Sequence, residues 1–225
     1  MADEEIIKIL VLVIGSYFLG AIPSAYLAGK LIKGIDLRKY GSGTVSGSMV
    51  YEHVAKWAVV PVGLFDIAKA AIPTWVGVKL GLGEIVALMA GMAAAIGHNW
   101  PIYLGFTGGR GLSNFAGIML VLFPEGVLWI GGFLLVGWLL GDSAPWALVS
   151  LVTMPLFGWF FEKVEIATLI GVVILVVTII KRIEANRRQL PKQEPERRKV
   201  LLRRLIFDRD IKSHQEWINR KPERL

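Results

Sequence analysis

A strongly apolar segment of the chain ends at residues 97–101 in the sequence Gly-His-Asn-Trp-Pro, and residues 106–111 follow with Phe-Thr-Gly-Gly-Arg-Gly. Ionisable side chains at the edge of a membrane cost desolvation free energy and are usually kept for a functional site. The glycines around Arg110 allow backbone N–H groups to converge on an anion, with the guanidinium as its counter-charge. The alternative is a solvated turn between helices from which Arg110 reaches toward water.

The composition is that of a polytopic membrane protein. Hydrophobic residues make up 54% of the 225 residues, and the mean hydropathy of +0.56 is too high for a soluble domain. The chain has no cysteine, and its three histidines lack the spacing of a metal site. The sequence therefore offers no disulfide and no metal site. The acidic start at residues 3–5 lacks the basic segment of a cleaved signal peptide, so we expect the first apolar segment to be retained.

The apolar stretches predict an all-α polytopic membrane protein with about seven transmembrane helices. Lys and Arg concentrate in the loop 30–56 and in the C-terminal segment, which places both on the cytoplasmic side and the N-terminus outside. Six spans is the main alternative, because the fourth and fifth segments are short for a bilayer. The predicted spans are 6–29, 57–79, 85–104, 111–123, 126–140, 145–161 and 164–180.

Positive charge is concentrated at the C-terminal end. Residues 181–225 carry 15 Lys and Arg against 7 Asp and Glu, whereas the rest of the chain has a net charge of −1. We divide the chain into a transmembrane domain at 1–190 and a basic cytoplasmic tail at 191–225. The segment 197–212 predicts an amphipathic helix that binds anionic lipid at the membrane surface. Binding to a partner protein is the alternative; no nucleic-acid-binding fold accompanies the charge, so we expect no nucleic acid partner.

Four polar features lie on the cytoplasmic side in this topology. They are the loop 41–48, which alternates glycine with hydroxyl residues, His98 with Asn99, the glycine–arginine loop 108–111, and Asn186 after the last span. Both loops can form anion-binding nests of backbone N–H groups. Together they predict a site for a phosphorylated substrate, which a lipid tail can enter from the side.

Three further polar residues lie within predicted spans. Asp66 and Lys69 have the i, i+3 spacing that places them on one helix face, where they form either a buried ion pair that fixes helix packing or a proton relay. Asn114 follows the glycine–arginine loop and either caps the next helix or donates into the site.

These motifs together resemble the bacterial acyl-phosphate-dependent glycerol-3-phosphate acyltransferases, over roughly residues 10–190. The resemblance is carried by Gly-Ala-Ile-Pro at 20–23, the segment 33–38, Gly-Ser-Gly at 41–43, Phe65-Asp66 with Lys69, the motif at 97–111, and Asn186 with Arg188 and Leu190.

The resemblance implies transfer of an acyl group from acyl phosphate to the 1-hydroxyl of glycerol 3-phosphate, giving lysophosphatidic acid and phosphate, as the first step of phospholipid synthesis. It implies a multi-pass protein of the cell inner membrane whose active site faces the cytoplasm, and no need of a metal or an acyl carrier protein. The implied catalytic residues are His98, Arg110 and Ser42. The implied substrate-binding residues are Gly43, Thr44, Ser48, Gly108, Gly109, Gly111, Ser143 and Asn186.

The sequence departs from the family pattern at the acceptor side of the site. Residues 44–49 differ from the usual loop, Arg110 replaces a lysine, and Glu52 stands where the family has a phosphate-binding arginine. These differences keep two alternatives open: a relative with a different acceptor, and a non-catalytic membrane protein that binds phospholipid. A small transporter is a third alternative, which only Asp66 and Lys69 support.

Overall fold

The computed structural model describes residues 2–220, and every regular element within them is helical. This confirms the predicted all-α fold. Four helical stretches have the length and apolar composition needed to cross a membrane, and three further apolar helices are shorter. The long stretches are Asp3–Lys33, Lys56–Lys79, Gly83–Leu104 and Val164–Arg187; the shorter helices are Leu112–Leu122, Pro124–Leu139 and Ser143–Val152. Seven spans and their orientation stay predictions.

The chain divides into two compact units, and the first contains residues up to Arg38 together with Thr44–Pro124. Its core is formed by four helices: α1 (Ala2–Gly20) packs against α5 (Gly83–Asn99), and α4 (Val59–Lys79) packs against both α5 and α6 (Leu112–Leu122). Its helices are α1 (Ala2–Gly20), α2 (Ser24–Lys33), α3 (Gly47–His53), α4 (Val59–Lys79), α5 (Gly83–Asn99) and α6 (Leu112–Leu122).

Glycine allows α1 and α5 to approach closely. A Cβ atom on Gly20 would lie 2.0 Å from the carbonyl oxygen of Ala94, and one on Gly97 would lie 2.2 Å from that of Tyr17. Such close backbone approach is how small residues associate membrane helices. The close approach at Gly20 and Gly97 holds the end of α5, and therefore His98, against the end of α1.

The second unit contains Lys39–Gly43 and the chain from Glu125 onward. The predicted span 145–161 is divided into α8 and α9, so its prediction as one continuous helix is wrong. Pro155 explains the division, because it lacks the N–H that would bond to the carbonyl of Leu151. The helices of this part are α7 (Pro124–Leu139), α8 (Ser143–Val152), α9 (Met154–Trp159), α10 (Val164–Glu184), α11 (Glu194–Phe207) and α12 (His214–Ile218).

Candidate active site

A buried polar network holds His98 at the C-terminal end of α5. Lys69 Nζ lies 2.8 Å from His98 Nδ1 and 2.9 Å from Asp66 Oδ1, and it also donates to the carbonyl of Ile22 at 3.2 Å. Ser24 donates to the same carboxylate oxygen at 2.7 Å. The ion pair expected from the i, i+3 spacing is therefore present, and it contacts the histidine directly.

The network determines which nitrogen of His98 carries the proton. An ammonium group on Lys69 can only donate to Nδ1. Nδ1 must then accept with its lone pair, so the proton of the neutral imidazole is on Nε2. His98 therefore presents an N–H donor on the ring edge opposite Lys69.

The glycine–arginine loop lies directly against His98. Gly109 N–H donates to the His98 carbonyl at 3.1 Å, and a Cβ atom on Gly109 would lie 2.1 Å from His98 Nε2. A Cβ atom on Gly108 would lie 2.2 Å from the same carbonyl. These two positions therefore require glycine, because the loop approaches His98 closely.

The hydroxyl-rich loop joins the same group of residues. Val45 N–H donates to the carbonyl of Gly108 at 3.2 Å. The hydroxyls of Thr44, Ser46 and Ser48 form a chain with oxygen separations of 3.1 and 3.0 Å. The first unit thus brings together six predicted site residues: His98, Gly108, Gly109, Gly111, Thr44 and Ser48. Arg110 lies half-buried in the same glycine loop.

Two buried asparagines flank this loop. A Cβ atom on Gly111 would lie 2.8 Å from Asn99 Oδ1, and Gly111 itself, with φ of 76°, is the N-cap of α6. The capping role considered for Asn114 is therefore wrong. Among residues 2–220, the amide side chains of Asn99 and Asn114 are fully buried and have no hydrogen-bond partner. Unsatisfied groups of this kind are rare and mark functional or hydrated positions.

Arg38 is already engaged by a carboxylate in the loop before residue 41. Its guanidinium binds Asp36, with Nη2 2.7 Å from Oδ2, and this hydrogen-bonded pair lowers the pKa of the Asp36 carboxyl. The positive charge of Arg38 is thus balanced by the neighbouring carboxylate of Asp36.

The second unit contains the remaining predicted residues. Asn186 Nδ2 donates to the carbonyl of Gly43 at 3.0 Å, which connects the turn after α10 to the Ser42–Gly43 loop. Ser143 begins α8, and its hydroxyl donates to the carbonyl of Leu134 in α7 at 3.0 Å. Asp142 caps α8 by accepting from the Ala144 N–H.

Three residues of this network, Ser24, Asp66 and Lys69, were not among the predicted site residues. The available signal was the pair of charges inside an apolar span. Nothing in the sequence indicates that the pair contacts a histidine 29 residues later, because that contact depends on the packing of α4 against α5.

Comparisons with known proteins identify the class to which this chain belongs. The family model described as glycerol-3-phosphate acyltransferase matches residues 10–193. Glycerol-3-phosphate acyltransferase 5 of Dehalococcoides mccartyi is 33% identical over 219 residues, which cover 94% of this chain and 93% of the relative. A glycerol-3-phosphate acyltransferase of Halalkalibacterium halodurans is 39% identical over 158 residues, covering 66% and 76%.

The fold is also similar to a solved structure. The crystal structure of PlsY (YgiH), an integral membrane glycerol 3-phosphate acyltransferase, in its glycerol 3-phosphate form, aligns with a TM-score of 0.73 at 26% identity. The alignment covers 93% of this chain and 98% of that one. The chain belongs to the glycerol-3-phosphate acyltransferase family, which confirms the resemblance identified in the sequence.

Proposed function

We propose that this protein is a membrane acyltransferase that moves a fatty acyl group from acyl phosphate to the 1-hydroxyl of glycerol 3-phosphate. The products are lysophosphatidic acid and inorganic phosphate. The observation that carries the proposal is His98, held by Lys69 and Asp66, with its Nε2 edge against the glycine–arginine loop.

The chemistry requires little covalent participation by the protein. The hydroxyl oxygen of the acceptor attacks the acyl carbonyl carbon, a new ester C–O bond forms, the C–O bond to phosphate breaks, and the hydroxyl proton leaves with the phosphate. Fixed donors and a cation stabilise the charge that develops on the carbonyl oxygen and the departing phosphate. The His98 Nε2–H and the Arg110 guanidinium are suited to this role.

Binding of the acceptor, glycerol 3-phosphate, is assigned to residues of the second unit. Following the family resemblance, Ser42 and Gly43 hold a phosphate, Asn186 helps to hold glycerol 3-phosphate, and Ser143 is a further substrate-binding residue. The hydrogen bond between Asn186 and Gly43 supports this assignment, because it joins two of the residues within one unit. No metal or other cofactor enters the reaction as we propose it.

A direct assay tests the proposal. Purified protein is supplied with radiolabelled acyl phosphate and glycerol 3-phosphate, and lipid products are separated. We expect labelled lysophosphatidic acid to form with release of one phosphate per acyl group. Binding of lysophosphatidic acid without turnover would favour the non-catalytic alternative, for which the carboxylate of Glu52 is the supporting observation.

The topology is proposed to have seven spans in the inner membrane, with residues 1–190 as the transmembrane domain and the active site facing the cytoplasm. The chain has no natural cysteine, so single-cysteine labelling is direct. We expect Glu4→Cys and Gln215→Cys to react with an impermeant thiol reagent from opposite sides of sealed vesicles. The Lys and Arg asymmetry is the physical reason. Labelling from the same side would contradict the seven-span topology.

The basic tail at 191–225 is proposed to bind anionic lipid. On α11, the apolar Leu202 and Ile206 are exposed, and the charged Arg198 and Lys199 are exposed beside them. A helix with this arrangement binds an anionic surface by combining apolar burial with charge attraction.

Glu52 is predicted to weaken acceptor binding. It is exposed in α3, one helical turn after Ser48, and a carboxylate 4 Å from a phosphate charge costs about 1 kcal/mol in water. We expect Glu52→Arg to lower the apparent KM for glycerol 3-phosphate at least about fivefold, because repulsion becomes attraction.

The matched control for this measurement is Glu84→Arg, which makes the same charge change at an exposed position at the start of α5. It should leave the KM unchanged. A KM that is equally unchanged in Glu52→Arg would show that residue 52 lies outside the acceptor site.

A further inference from the structure

The C-terminal segment, beyond the residues matched by the family model, contacts part of the candidate site within the second unit. Arg204 of α11 is 2% exposed although it is charged. Its guanidinium donates to the carbonyls of Ile183 at 3.1 Å and Arg188 at 3.0 Å, and it forms an ion pair with Asp210. A buried arginine with several backbone acceptors connects segments in a fixed geometry, and losing it leaves those acceptors buried without a partner.

Arg188 extends this connection to the Gly41–Gly43 loop. Its Nη2 donates to the carbonyl of Gly41 at 3.1 Å, and its guanidinium lies 4.4 Å from the ring centroid of Trp217 in α12. Asp210 lies 3.9 Å from Arg188 Nη1. The Arg188 side chain thus contacts the loop, while Asp210 and Trp217 of the C-terminal segment hold it in place.

A second connection runs through the backbone. Gly41 N–H donates to the carbonyl of Arg220 at 2.8 Å. The loop at 41–43 is therefore bound on one side by the C-terminal segment and on the other by Asn186, through the carbonyl of Gly43.

The turn that carries Asn186 needs such support. Ala185, Asn186 and Arg187 have φ values of 45°, 53° and 61°, which residues other than glycine adopt at a steric cost that is smallest for asparagine. Strained backbone of this kind persists where surrounding contacts over-determine it. Arg204 supplies two of those contacts, at Ile183 before the turn and at Arg188 after it.

We propose that residues 194–220 are a positioning element of the acceptor-binding residues, which rests on the function proposed above. Arg204, Asp210 and Trp217 hold Arg188, and through it they hold the Asn186 turn and the Gly41–Gly43 loop in the geometry that binds glycerol 3-phosphate. The basic residues of α11 therefore include both a buried positioning residue and exposed surface residues. Arg204 faces inward, whereas Arg197 and Lys199 are exposed and pair with Glu194 and Glu196 on the same helix.

The test uses the full chain with three substitutions. Trp217→Ala removes the ring beneath Arg188, and Trp217→Phe keeps an aromatic face. Trp138→Ala is the matched control, because it removes the same ring from an exposed position of α7. For each protein we measure the KM for glycerol 3-phosphate, the KM for acyl phosphate, and amide hydrogen exchange at residues 41–43 and 185–188.

We expect Trp217→Ala to raise the KM for glycerol 3-phosphate about 2- to 30-fold, the range of a lost cation–π contact, and to leave the KM for acyl phosphate unchanged. Exchange at 41–43 and 185–188 should accelerate, while exchange in α4 and α5 stays as in the wild type. Trp217→Phe should restore most of both properties, and Trp138→Ala should change neither.

The two readouts separate failure of this inference from failure of the proposed function. An active wild type with an unchanged KM for glycerol 3-phosphate in Trp217→Ala would overturn the positioning role. Unchanged exchange at 41–43 would overturn it also, with or without activity. A wild type that does not acylate glycerol 3-phosphate, combined with accelerated exchange in Trp217→Ala, would refute the proposed function and support the structural connection.

Discussion

Turnover of acyl phosphate should fall by about two to three orders of magnitude in Arg110→Ala, because losing one donor that stabilises charge in the transition state costs about 3–4 kcal/mol. Arg110 follows Gly109 in the glycine–arginine loop, and Gly109 contacts His98. The loss should appear mainly in kcat, since the charge on the departing phosphate develops during the reaction. Steady-state phosphate release measures it.

Two variants accompany that measurement. Arg110→Lys restores the residue typical of the family and keeps the positive charge, so it should recover activity to within about tenfold of the wild type, although its hydrogen-bond geometry differs. Lys192→Ala removes a positive charge from an exposed position of the tail and should have no effect. Full activity in Arg110→Ala would remove the glycine–arginine loop from the mechanism.

Gly109→Ala should be as damaging as loss of Arg110, although it removes no functional group. The added Cβ would lie 2.1 Å from His98 Nε2 and 2.8 Å from the carbonyl oxygen of Val45. The loop or the imidazole must therefore shift by about 1 Å, and misplacement of that size costs about 100-fold in rate. We expect activity to fall about 100-fold.

Gly63→Ala is the matched control, because Gly63 lies in α4 with no atom within 4 Å of its added Cβ. It should retain activity and thermal stability. Thermal unfolding of both variants separates displacement of His98 from loss of the fold. A fully active Gly109→Ala protein would show that the imidazole does not need its observed position.

The buried network explains why His98 depends on residues far from it in sequence. Replacing Lys69 removes the group that contacts both His98 Nδ1 and Asp66 Oδ1, and it leaves the buried Asp66 carboxylate without the cation that pairs with it. An uncompensated buried charge is strongly destabilising. Variants at Asp66 or Lys69 therefore affect both stability and the orientation of the imidazole.

Much of the architecture follows from the sequence alone. Long apolar stretches predict the membrane helices because backbone groups in a bilayer must be satisfied within the segment. The glycine–arginine motif predicts an anion site because its residue types have few other uses at the end of an apolar helix. The family resemblance rests on the same motifs and holds over residues 10–193.

Tertiary structure alone decided which of these residues meet. The contact of Lys69 with His98 requires the packing of α4 against α5, and that of Arg204 with Arg188 requires the tail to fold back on its own unit. Periodicity assigned 197–212 to one amphipathic surface helix, whereas α11 ends at Phe207 and buries Arg204. The periodicity of a sequence reflects how apolar each position is. A buried arginine is stabilised by partners that are distant in the chain, so a local pattern cannot predict its burial.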